Sequence, residues 1–79
     1  MTQKLVEVTW EDAYSSEPWV AAEEADVIHR TPFVCRSVGY IVKRDRHALT
    51  MSTTLGPEGR RAGVWRIPAG MVRRVRILG

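Results

Sequence analysis

Alternation of apolar and polar positions dominates the chain. In "LVEVTW", Val6, Val8 and Trp10 fall on one side and Leu5, Glu7 and Thr9 on the other, the period-two pattern of a half-buried strand. "SSEPWVAAEEADVI" changes character. Ser15 or Ser16 suits an N-cap, Pro18 a first turn and Glu17 the positive end of a helix dipole, so a short helix is predicted near residues 17–27. "HRTP" ends it, because the residue before proline avoids the helical region. "FVCRSVGYIVKR" returns to alternation with apolar residues on both sides, the mark of a central strand. Gly39 inside it points to a bend or a close backbone approach.

"RDRH" reads as a turn. "ALTMSTTL" is a further strand, with Leu49, Met51, Thr53 and Leu55 on one side. "GPEGRRAG" is a turn region that carries Arg60 and Arg61 as a mobile hairpin tip. "VWRIP" is a strand, "AGM" a one-turn break, and "VRRVRIL" a last strand with Val75 and Ile77 facing one way and Arg74 and Arg76 the other. The expected core is Val8, Val38, Val42, Leu49, Trp65, Ile67, Val75 and Ile77. This order predicts one mainly β domain over residues 1–79: a small five-stranded, SH3/Sm-like antiparallel barrel with one short helix after the first strand. A sandwich of similar strand count is the alternative.

Length and charge refine the picture. A chain of 79 residues buries only about 60–65% of its unfolded surface, so self-association is an expected source of stability. Its single cysteine, Cys35, allows no internal disulfide and fits a reducing cytoplasm. No stretch approaches the roughly 18 apolar residues of a membrane span, and "MTQKLVEVTW" lacks the apolar core of a signal peptide. The net charge of +3 divides unevenly, −6 over residues 1–28 and +9 over residues 29–79. Either the acidic part folds against the basic part, or a basic face meets an anion.

The pieces "VEVTWEDAY", "VCRSVGYIVKRD" and "RIPAGMVRRVRIL", with Trp19 before the helix, resemble a group of small phage and prophage proteins, mostly uncharacterised. The resemblance implies a phage or prophage origin, a small β-barrel and the cytoplasm of an infected or lysogenic bacterium. Some small phage proteins sequester nucleotide signals of bacterial immunity.

Candidate chemistry is sparse. His29, His47, Cys35 and the scattered acids show no metal-ligand spacing. A Cys35–histidine dyad is conceivable, but a small hydrophobe on a central strand belongs to a core. Glu11 and Asp12, adjacent on a strand, point to opposite faces. A non-catalytic protein without metal or cofactor is expected. Strand parity places Arg66, Arg74 and Arg76 on an outward basic surface, with Arg60 and Arg61 nearby and Trp10 and Trp19 available to stack on a base. The expected function is binding of an anionic ligand, a nucleotide or nucleic acid. The alternative is a homo-oligomeric assembly protein in which the acidic N-terminal part of one copy meets the basic C-terminal part of a neighbour.

Overall fold

The computed structural model describes residues 3–13 and 19–79. Five antiparallel strands form one sheet: β1 (Leu5–Asp12), β2 (Phe33–Arg44), β3 (Ala48–Leu55), β4 (Arg61–Pro68) and β5 (Val72–Ile77). Helix α1 (Ala22–Arg30) lies between β1 and β2. The hydrogen-bonded order is β4-β3-β2-β1-β5, so β4 and β5 are edges and the sheet is not closed into a barrel within one chain.

The core explains how so short a sheet folds on itself. The inner face of central strand β2 carries small residues: Gly39 opposite Val6 and Ser37 opposite Val8. Above them the β1 wing and the β3–β4 wing meet. Val6, Val8, Leu49, Met51 and Ile67 form one fully buried cluster, with Trp10, Ile41, Met71, Val72 and Val75 packed against it. Gly39 is the close approach that its place in the strand predicts. A Cβ there would stand 2.7 Å from the Ser52 carbonyl oxygen and 3.0 Å from the Met51 Cε. The Trp10 indole donates to Ser37 Oγ at 3.0 Å, and its ring meets Trp65 edge to face at 5.9 Å. The one-turn 3-10 helix Ala69–Met71 touches both β1 and β3 and covers one end of this core.

Part of the expected core lies elsewhere. Val8, Leu49 and Ile67 are buried and Val75 is half-buried, but Val38, Val42, Trp65 and Ile77 are exposed. Val38 sits opposite Glu7 on the outer face. Val42 occupies the register shift between Ile41 and Lys43. Trp65 pairs with Met51, but on edge strand β4. Ile77 pairs with Val6 at the end of edge strand β5.

The helix also differs from expectation. It spans Ala22–Arg30 rather than 17–27, and Ala21 is its N-cap, without a side-chain bond. The proposed caps Ser15 and Ser16, with Glu17 and Pro18, fall outside the described residues. Arg61 belongs to β4 and not to the tip, which is the tight turn Pro57–Gly59, with Glu58 in a left-handed conformation.

The molecule is long. Its radius of gyration is 16.0 Å and its extents are 52 × 21 × 21 Å, whereas a compact chain of this length has a radius near about 12 Å. The cause is an arm. The outer ends of β1 and β2, where Asp12 pairs with Phe33, carry α1. No residue of α1 is buried, and the helix packs on no strand substantially.

Candidate binding surface

The five expected arginines separate. Arg66 is on edge strand β4 opposite Thr50. Arg74 and Arg76 are on the other edge strand, β5, opposite Thr9 and Glu7. Three strands lie between these groups. Arg60 is exposed at the exit of the β3–β4 turn. Arg61 is half-buried and donates to Gln3 Oε1 at 3.2 Å.

Acids of β1 engage the arginines of β5. Arg76 pairs with Glu7 at 3.4 Å and Arg73 with Glu11. Both arginines are about half-exposed to solvent, which screens the pairs, so each contributes about 1 kcal/mol or less. The charge asymmetry is thus met partly inside one chain. The acids Glu23 and Glu24 in the first turn of α1 lie out on the arm.

The tryptophans part as well. Trp10 is on the inner face, with its ring and its N–H both engaged. Trp19 is fully exposed just before α1.

Two residues that the parity argument overlooked sit at the centre of the outer face. Thr9 pairs with Arg36 of β2 on one side and with Arg74 of β5 on the other. Arg36, Thr9 and Arg74 therefore form a row across three strands, flanked by the Glu7–Arg76 and Glu11–Arg73 pairs. The signal was present in the sequence, since Arg36 alternates with Val38 and Tyr40. Taking Val38 as core hid it. A similar row, Lys43–Thr50–Arg66, crosses β2, β3 and β4. Asp45 lies beside that row. Backbone N–H groups of His47 and Ala48 donate to its carboxylate at 2.8 and 3.1 Å. They hold its pKa below the usual carboxylate value, with smaller help from Lys43 and Arg66.

A cleft of about 390 Å³ opens where arm meets body, lined by Glu11, Asp12, Ala13, Gly70, Met71 and Arg73. Its clearest polar contact is the Arg73–Glu11 pair, and Asp12 is the second acid of its wall. Cys35 is half-buried on β2 opposite Trp10, His29 is in the last turn of α1, and His47 is in the β2–β3 turn. Among the described residues no three His, Cys, Asp or Glu side chains gather as metal ligands. No helix among them is long and apolar enough to cross a membrane. No family model, curated protein or solved structure matches the chain.

Proposed function

We propose that this protein is a non-catalytic, homo-oligomeric assembly unit, in which the acidic, apolar arm of one copy is covered by the basic C-terminal part of another. The observation that carries this reading is the surplus of surface. The chain exposes 6177 Å², against about 4,900 Å² for a compact monomer of 9.0 kDa. The excess, about 1,300 Å², exceeds the roughly 800 Å² that each partner buries in a standard interface. Among the described residues, five of the twelve exposed large apolar residues lie on and beside the arm: Trp19, Val20, Val27, Phe33 and Val34. Glu23 and Glu24 supply the matching charge for an arginine-rich neighbour.

The free edges β4 and β5 extend the same proposal. Pairing of β4 of one copy with β5 of the next would complete between chains the barrel left open within one. Such a contact is heterologous and makes a ring where the rotation closes.

Sedimentation equilibrium combined with small-angle scattering tests the reading. The expected result is an oligomer at micromolar concentration, with all arms packed. A monomer at the highest soluble concentration, keeping a radius of gyration near 16 Å, overturns it.

A further inference from the structure

We propose that the row Arg36–Thr9–Arg74 on the outer face of β2, β1 and β5 is a phosphate-binding site that takes the backbone of a single-stranded nucleic acid. Register places the three residues side by side, with Arg36 and Arg74 about 10 Å apart at their Cα atoms, two strand spacings. Both arginines are exposed and Thr9 is half-buried.

The local electrostatics single out this row. Glu7 and Glu11, the acids of β1 on either side, are engaged by Arg76 and Arg73. Among the described residues neither Arg36 nor Arg74 has an acidic partner, and the Thr9 hydroxyl has no hydrogen-bond partner. Two guanidinium forks and one hydroxyl are a set rich in donors, with two positive charges that no acid offsets. Phosphate oxygens are acceptors only and carry the opposite charge, and guanidinium groups bind them bidentately.

The shape of the surface favours a strand over a free nucleotide. The row lies on the open outer face of a sheet, which tracks a chain better than it encloses a small molecule. Tyr40 shares that face four residues along β2 from Arg36, about 13 Å away. It offers a ring for a base of the same strand. The expected stacking residue Trp10 is on the opposite, inner face and does not take part.

Fluorescence anisotropy with a labelled 20-nucleotide oligo-dT and the full chain tests the site. The wild type is expected to bind with an affinity that falls as salt rises. Arg36→Gln with Arg74→Gln should lower affinity at least about tenfold. It should also flatten the log–log salt slope by about 1.4, or 0.7 for each lost phosphate contact on a single strand. Melting temperature should stay unchanged, and so should oligomer size, because the assembly reading uses the edge of β5 and leaves its outer face at Arg74 free. Arg44→Gln with Arg46→Gln, which removes the same charge from exposed arginines away from both the row and the arm, should cost less than about threefold.

Equal losses from the two pairs would reduce the effect to net charge and overturn the site. So would absence of binding by the wild type, or dissociation of the oligomer by the Arg36/Arg74 pair. Displacement of the oligonucleotide by ATP at matched phosphate concentration would overturn the assignment to a strand. Because size and binding are read separately, failure of this site leaves the assembly reading intact, and the reverse also holds.

Discussion

The body and the arm are built from the same kinds of residue and end in opposite states. In the body, valine, leucine, methionine and isoleucine side chains from β1, β3 and β4 close over the small inner residues of β2, and water is excluded. In the arm, Val20, Val27 and Val34 remain exposed, because one nine-residue helix above a two-stranded ribbon offers no second layer. Hydrophobicity sets what must be covered, and only a facing surface covers it. Exposed large apolar side chains outnumber buried apolar ones twelve to six among the described residues. A body so small needs its few contacts intact, and the bare arm is where the proposed assembly would add a facing surface.

The largest effects should therefore follow damage to the body. Gly39→Ala would set a methyl group 2.7 Å from a backbone carbonyl oxygen, which cannot swing away as a side chain does. Met51→Ala would empty the centre of the cluster. Core truncations of this kind cost about 2–5 kcal/mol and overpacking about 1–3 kcal/mol or more. A chain of this length holds only about 4–12 kcal/mol in total. Urea titration should show either variant with a much lower midpoint, or unfolded. A midpoint unchanged in Met51→Ala would mean that the two wings do not meet over β2.

The arm should respond differently. Trp19→Ser with Val27→Ser removes apolar groups that are exposed in the single chain, so a monomer should lose almost no stability. In an assembly these side chains anchor the contact, and anchors of this type contribute about 2 kcal/mol or more. The expected outcome is a dissociation constant raised about thirtyfold or more, with stability no longer dependent on protein concentration. Light scattering and melting at two concentrations report both. Equal oligomer size in variant and wild type would show that the arm is not the contact.

The sequence reveals the body better than the arm, for physical reasons. Strand order along the chain, the Asp45–His47 turn, the Ala69–Met71 break and the role of Gly39 all follow from local chemistry, and all are present. Sheet order is a long-range property, and with it the separation of Arg66 from Arg74 and Arg76. Parity gives each of these residues a face, but the expectation that Arg66 lies beside Arg74 and Arg76 takes β4 and β5 as neighbours, and they are opposite edges. Val38 misled because β2 is apolar on both sides: its inner face is occupied by Ser37 and Gly39, which look unlike core residues but let two wings meet. The row around Thr9 depended on that same choice, since it joins residues 9, 36 and 74, which no local pattern connects.

Within the body, the β3–β4 hairpin offers a smaller and opposite effect. Glu58 holds φ 61°, a left-handed conformation that costs a residue with a Cβ about 1–2 kcal/mol. Asparagine tolerates this region better and does not add the chain entropy of glycine. Glu58→Asn should stabilise by a few tenths to about 1 kcal/mol, seen as a higher urea midpoint with an unchanged slope. Because the hairpin belongs to the body, oligomer size should not move. Destabilisation by Asn would argue for a different turn geometry.

The smallest effect concerns pH. Asp45 closes the β2–β3 turn by accepting from the backbone N–H groups of His47 and Ala48, and these bonds, more than Lys43 and Arg66, lower its pKa. A carboxylate whose folded pKa lies below its unfolded value of about 3.9 adds stability above that value. That stability is lost as pH falls through the lowered folded pKa. Asp45→Ala should therefore melt slightly below the wild type at pH 7 by the same margin as at pH 5. The gap should narrow below about pH 4 and vanish once the folded carboxylate is protonated. Added salt should change the gap little, since hydrogen bonds to the backbone outrank the two distant cations. A gap that instead shrinks steeply with salt at pH 7 would make Lys43 and Arg66 the main partners. The turn would then be an ion cluster belonging to the Lys43–Thr50–Arg66 row, rather than a backbone-capped corner of the body.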